Sequence, residues 1–156
     1  MKALVISDTH GNSSLAFKAH SLAEPVDIIF HLGDGSGDAD LMRNVLDVNL
    51  INVAGNCDIG STAPRELVLE CEGKKILLSH GDIYGVKSGL VKLEQRGREV
   101  GADAVLFGHS HLATNELRPG LLLLNPGTLT VASHRRTYAV IDVSPDGISA
   151  SIHDID

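Results

Sequence analysis

Gly108-His109-Ser110-His111 closes an apolar run, Ala104 to Phe107, with two histidines one residue apart. Four other short segments finish in the same manner. Ala3-Leu4-Val5-Ile6 runs into Asp8-Thr9-His10, and Ile28-Ile29-Phe30 runs through His31-Leu32 into Gly33-Asp34. Ile51-Asn52-Val53-Ala54 ends in Gly55-Asn56-Cys57-Asp58, and Ile76-Leu77-Leu78 ends in Ser79-His80-Gly81. Parallel strands carry ligand sites at their carboxyl edge. One fold would therefore gather these carboxylates, imidazoles and amides in one crevice, which is the signature of a metal site.

The rest of the chain bounds this reading. Its 156 residues suit one domain, residues 1–156, with a core that needs no disulfide or metal staple. A charged fraction of 21% and a hydrophobic fraction of 43% are those of an ordinary soluble globular protein. Cys57 and Cys71 make no disulfide framework. The apolar run after Lys2 is too short for a signal-peptide core, and no stretch approaches a membrane span, so a cytoplasmic location and no membrane partner are expected. The net charge is −7, basic residues cluster only at Lys92–Arg98 and Arg135-Arg136, and aromatics are 3% with no Trp. Extended nucleic acid, which is held through clustered cations and stacking, is not expected as a partner.

Apolar spacing predicts helices over 13–23, 38–47 and 87–101. Leu15, Ala16, Ala19, Leu22 and Ala23 form the first apolar face, capped by Asn12 or Ser13. Leu41, Met42, Val45 and Leu46 form the second behind Asp38, and Leu90, Val91, Leu93 and Val100 the third, with Gly101 as the stop. Strand–helix–strand succession argues for parallel pairing with right-handed crossovers. Glu72-Gly73, Pro119-Gly120 and Pro145-Asp146-Gly147 each divide two apolar runs and predict hairpins. The expected class is α/β: a buried βαβ half, then a second sheet richer in hairpins. The two mixed sheets would pack face to face and be flanked by helices.

Any one of these polar strand ends has a bland explanation, such as a turn carboxylate or a surface histidine. Their conjunction does not, because buried strand ends are a costly place for unpaired polar groups. Carboxylate, imidazole and amide oxygen without thiolate suit manganese foremost, with iron, nickel, cobalt or zinc as alternatives, rather than a calcium cage. Seven candidates, Asp8, His10, Asp34, Asn56, His80, His109 and His111, are too many for one ion and suit two divalent ions. One carboxylate must then bridge, and Asp34 is the best placed.

The order of these motifs, from Asp8 to Asn125-Pro126-Gly127-Thr128, resembles the calcineurin-like metallophosphoesterase superfamily over almost the whole chain. It is most similar to the small single-domain bacterial and archaeal phosphodiesterases. The resemblance implies that Asp8, His10, Asp34 and His111 hold one metal, and Asp34, Asn56, His80 and His109 the other. It also implies a fold of two mixed sheets flanked by helices. Much of the superfamily has His where this chain has Cys57, and that His is thought to protonate the leaving oxygen, oriented by the acid at the position of Asp58. Here Cys57 is either a small buried residue or a weak acid, its reference pKa being about 8.5.

The expected function is hydrolysis of a small phosphodiester. A hydroxide shared by the two cations attacks phosphorus in line, and Asn56 positions a phosphate oxygen or ligates. Asn12 is a helix cap standing close enough to touch a phosphate. His31 is expected in the core or behind a ligand, and His20 and His153 in solvent. His134-Arg135-Arg136 reads as a surface patch, and a homo-oligomer is compatible with the sequence. The alternatives are a non-catalytic scaffold like the retromer subunit that shares this fold, in which the metal site is degraded, and a phosphomonoesterase or nuclease.

Overall fold

The computed structural model describes residues 1–156 as two five-stranded sheets with three helices. In chain order the elements are β1 (Lys2–Ile6), α1 (Ser13–Ala23), β2 (Ile28–His31), α2 (Ser36–Val45) and β3 (Asn49–Asn52). Then follow β4 (Glu66–Cys71), β5 (Lys74–Ser79), a 3₁₀ turn over Asp82–Tyr84, α3 (Val91–Glu99) and β6 (Ala104–Leu106). The chain closes with β7 (Thr114–Arg118), β8 (Leu121–Asn125), β9 (Thr137–Ser144) and β10 (Gly147–Asp154). One sheet has the order β10-β9-β1-β2-β3 and the other β4-β5-β6-β8-β7. No helix is long and apolar enough to cross a membrane.

The period-two alternation of a strand decides the layers. Ala3 and Val5 of β1 face the second sheet and pack in one core with Phe30, Ile76, Leu78, Leu106 and Leu124. Leu4 and Ile6, the alternate residues, point outward and are covered by Leu15, Ala16 and Ala19 of α1 and Met42 of α2. On the other flank Leu77 and Val105 point outward beneath Leu93 of α3. Both sheets are thus apolar on both faces, which explains why their strands read as nearly continuous apolar runs.

β1, β2 and β3 pair in parallel, as do β5, β6 and β8. All three expected hairpins form, as β4–β5, β7–β8 and β9–β10. The last joins the first sheet rather than the second, because β9 lies antiparallel to β1 with Ala3 opposite Ile141. Long-range pairing made that choice; the hairpin turn could not.

The helices correct the sequence reading in detail. α2 begins at Ser36, two residues before the expected start, and Asp38 does not cap it; the Asp38 carboxylate accepts the Gly11 N–H at 2.8 Å. Ala39 and Met42 are its buried face, while Leu41 and Val45 are exposed. α3 is shorter than expected and leaves Val91 exposed, and Leu22 of α1 is exposed as well. Asn12 sits at the cap position of α1, but its amide donates to the Leu129 carbonyl at 2.7 Å instead of capping. His20 is buried, not solvated, with Nδ1 3.2 Å from Glu24. Met42→Ala should therefore destabilise the protein by about 2–5 kcal/mol, whereas Leu41→Ala should fall within about 0.5 kcal/mol of the parent. Urea unfolding of the two variants checks this.

Candidate metal centre

Every strand of the two parallel sets delivers a polar segment to the same edge. Asp8 and His10 follow β1, Asp34 follows β2, Asn56 to Asp58 follow β3, His80 follows β5, and His109 and His111 follow β6. The structure gathers them into overlapping groups of donor atoms, all within 4.8 Å of one another inside each group. Asp8, His10 and His111 make one triad, Asp34, His80 and His109 a second, and His10, Asp34 and Cys57 a third. His111 Nε2 lies 3.1 Å from Asp8 Oδ1, and His80 Nε2 lies 3.3 Å from Asp34 Oδ2. His10 Nε2 stands between the carboxylates, 3.7 Å from Asp8 Oδ1 and 3.8 Å from Asp34 Oδ2.

The backbone is bent to achieve this. Asp8, His10, Asp34, His109 and His111 all have φ between 44° and 69°, in the left-handed region. The only other non-glycine residue there is Glu72, in a hairpin turn. Such a conformation costs about 1 kcal/mol or more per residue and survives only where surrounding structure enforces it. Two glycines make the crowding feasible. A Cβ on Gly55 would lie 2.2 Å from Asp34 Oδ1, and one on Gly108 would lie 2.7 Å from Asp8 Oδ2.

Each carboxylate spends one oxygen on the protein and turns the other inward. Asp8 Oδ2 accepts the Ser7 hydroxyl at 2.5 Å and the His109 N–H at 3.1 Å, leaving Oδ1 to the histidines. Asp34 Oδ1 accepts the Cys57 N–H at 2.9 Å, leaving Oδ2 to His10 and His80. His80 Nδ1 donates to the Leu32 carbonyl at 2.8 Å, so its Nε2 is the nitrogen presented to the site. This orientation of a ring through its far nitrogen is what metal-binding histidines require.

The charges are unbalanced in a telling way. Burial pushes the Asp8 carboxyl up, but the hydrogen bond from His111 and the charge of His80 outweigh it and the net shift is downward. Burial likewise opposes ionisation of Asp34, yet His80 and the Cys57 N–H hold it well below the usual carboxylate range. Burial pulls His80 down, and its contacts with Asp34 and Asp8 more than reverse that. Burial and the neighbouring His80 lower His109. Two buried carboxylates thus borrow positive charge from imidazoles, and the six nitrogen and oxygen donors fit divalent cations in that place.

The remaining candidates stand differently. Asn56 is exposed at the rim, its amide 3.6 Å from Cys57 Sγ. Cys57 is exposed too, which removes the reading of a small buried residue, and burial together with Asp34 raises its thiol pKa. The Asp58 carboxylate accepts the N–H groups of Asp34, Gly35, Ser36 and Gly55 at 2.7–2.9 Å. Both its oxygens are thereby committed to fastening the β2–α2 loop. His31 is buried as expected, with Nδ1 accepting the Gly33 N–H and Nε2 meeting Thr9 Oγ1 at 2.9 Å. His153 is exposed as expected and stacks on Tyr138.

Sequence reasoning missed the residues that hold the donors. Ser7 carries no signal in the sequence, since a serine beside an aspartate forms no pattern. The late Asn125-Pro126-Gly127-Thr128 was visible as a motif but not as a clamp. Asn125 Nδ2 reaches the Gly108 carbonyl and Ser110, and Thr128 Oγ1 donates to the Asp8 carbonyl at 2.9 Å.

Fold and donor groups together make a candidate metal centre, of the kind phosphoesterases carry, between two mixed sheets. Residues 1–146 match the calcineurin-like phosphoesterase superfamily domain, and the chain belongs to that family. It is 35% identical to the probable metallophosphoesterase YsnB of Bacillus subtilis, over 99% of this chain and 91% of that protein. It is 28% identical to the phosphodiesterase YfcE of Escherichia coli, over 91% of this chain and 88% of that one. The zinc complex of Vps29 from Entamoeba histolytica has the same fold at a TM-score of 0.77, with 18% identity over 99% of each chain.

Two measurements follow. Asp34→Asn should lower bound metal below the parent's content, expected at up to two ions per chain, without loss of fold, since it removes one of two repelling charges. His109→Ala and His111→Ala should each lower stoichiometry, and unchanged metal content by elemental analysis in both would exclude them as ligands. Separately, burial holds the His31 pKa down to about 4. Because the folded value lies below the unfolded one, its stabilisation is complete above about pH 6.5 and is lost as pH falls towards 4. Unfolding free energy should drop by about 2 kcal/mol from this group between pH 7 and pH 5, and His31→Gln should flatten that slope.

Proposed function

We propose that this protein is a dinuclear metal-dependent phosphodiesterase acting on small phosphodiesters. The observation that carries the reading is the pair of donor triads around Asp8 and Asp34, built on five strained residues. When bound, two divalent ions of the manganese, iron, cobalt, nickel or zinc class supply a nucleophilic water of lowered pKa and neutralise charge at phosphorus. Asp8, His10, Asp34 and His111 are assigned to one ion, and Asp34, Asn56, His80 and His109 to the other. Asp34 is the carboxylate that both ions would share, since its inward oxygen faces a histidine of each triad.

The chain's own residues then do the following. His80 and His109 present imidazoles whose orientation is set by packing and by the Leu32 carbonyl. Asn56, exposed after β3, is assigned to donate to a non-bridging phosphate oxygen. Asn12 anchors the loop through one amide N–H on the Leu129 carbonyl, and its second N–H is the one assigned to a phosphate contact. The complete donor set argues against a scaffold with a degraded site. The shared fold with Vps29 is the only feature favouring that alternative. A cytoplasmic, small-substrate enzyme is consistent with the negative net charge and the absence of a basic track.

The leaving oxygen needs a proton only when it is strongly basic, and general acid catalysis is then worth about 10²–10⁴-fold. Cys57 is exposed beside Asp34 with a raised pKa, a poor acid. Activated aryl diesters should therefore be hydrolysed well, and esters of alkyl or sugar alcohols less so. Cys57→His should raise kcat/KM for a cyclic nucleotide more than for an aryl diester. That gain comes from the imidazole alone, because Asp58 is committed to four backbone N–H groups. Cys57→Ala should cost little on the aryl substrate. Equal shifts on both substrates with Cys57→His, with metals still bound, would refute this role for position 57.

A further inference from the structure

A cleft of about 640 Å³ adjoins the metal centre and takes no part in the chemistry above. Ser36, Gly37, Cys57 and Asp58 line both the cleft and the groove over the donors, so the two are continuous. Cys57 marks the junction, its Sγ within 4.8 Å of the donor atoms of His10 and Asp34. An alcohol esterified to a phosphate at the donors would project past Cys57 into this space.

The walls define what that alcohol is. Ser36 and Ser61 hydroxyls meet at 3.1 Å, and Thr62 stands beside them. At the far side Arg43 donates from Nη1 to Asp40 Oδ1 and from Nη2 to Asn52 Oδ1, each at 2.6 Å. Its charge is answered by Asp40, so the wall is not an anion trap. The second oxygen of Asp40 and the amide Nδ2 of Asn52 have no protein partner and are held in place by the guanidinium. No aromatic side chain lines the cleft, so a nucleobase finds nothing to stack on. Only Cys57, Ile59 and Ala63 are apolar, which leaves no wall for an acyl chain. Paired donors and acceptors, with one cation set against the carboxylates of Asp40 and Asp58 and no aromatic surface, match hydroxyl groups on adjacent carbons and disfavour a second anion.

We propose that this cleft is the subsite for a neutral polyhydroxyl alcohol of the substrate, of the glycerol or sugar-alcohol kind. This rests on the phosphodiesterase reading for its place in the reaction, but its test is binding. Glycerol 3-phosphate and propyl phosphate carry the same phosphate and the same three carbons and differ in the two hydroxyls alone. Titration calorimetry on the metal-loaded protein should find glycerol 3-phosphate about tenfold the tighter. Ser61→Trp, which fills the cleft, should bring the ratio of the two Kd values to about one, and Asn52→Ala should reduce it severalfold, with circular dichroism confirming the fold of each. Equal Kd values in the parent, or a preference that survives both substitutions, would overturn the proposal. So would tighter binding of glycerol 1,3-bisphosphate, which would make Arg43 an anion receptor. Hydrolysis of bis(p-nitrophenyl) phosphate is measured alongside. Its absence with two metals bound refutes the phosphodiesterase reading, while the Kd ratio still decides the cleft.

Discussion

The structure turns on two carboxylates, Asp8 and Asp34, held in a buried crevice where two strand ends converge. Asp8 is fully buried and Asp34 nearly so, and each is ionised in surroundings that by desolvation alone would favour the neutral acid. A buried charge is tolerated only when hydrogen-bonded or paired. The neighbouring backbone and side chains supply that compensation on one oxygen of each, and the histidines supply it on the other. Two like charges at close quarters, compensated by polarisable nitrogen donors, form a site that gains by admitting cations.

The fold exists in the form it does so that this pair can be held rigidly. The Asp8 N–H donates to the Gly33 carbonyl at 2.9 Å and the His10 N–H to the Asp34 carbonyl at 3.0 Å, so the loops after β1 and β2 are laced together. The Gly108 N–H donates to the His80 carbonyl at 2.9 Å, which laces the loops after β5 and β6 in the same way. Thr128 and the His109 N–H tie the two sheets' loops across the crevice, both through Asp8. With this mesh in place, left-handed backbone at five donors becomes the lowest-energy choice for the whole edge. Sites built on strand ends rather than on long loops are the more accurate for it.

Much of this was legible in one dimension. A polar residue after an apolar run is a local pattern, and parallel pairing collects strand ends by topology, so the residues that meet at this edge can be named from the sequence. Three hairpins were legible for the same reason, since Gly and Pro mark turns locally. What escaped depended on distance in space. The β9–β10 hairpin chose its sheet by pairing with β1, more than a hundred residues away. The start of α2 was set by Asp58, some twenty residues downstream, which no capping rule based on neighbours can see. His20 looked solvated because its helix is amphipathic only weakly, and Asn12 looked like a cap because a Leu129 carbonyl cannot be foreseen.

Asp58 is the clearest case of a residue whose motif suggested one duty and whose geometry gives another. Beside a histidine it would read as the orienting half of a proton-delivering pair. Its four backbone partners instead span the β2–α2 loop and Gly55, the segment that fixes Asp34, and hydrogen bonds to a carboxylate are about twice as strong as neutral ones. Burial resists its ionisation, and those N–H groups reverse the effect and hold its pKa low. Losing that acid would release Asp34 itself. The neighbouring residue 57 carries less of that burden: its N–H holds Asp34 at 2.9 Å, and its thiol adds a weaker contact to the same carboxylate. Chemistry at the leaving oxygen can therefore change at residue 57 while Asp34 keeps its hydrogen bond from the backbone, because that N–H does not depend on which side chain stands there.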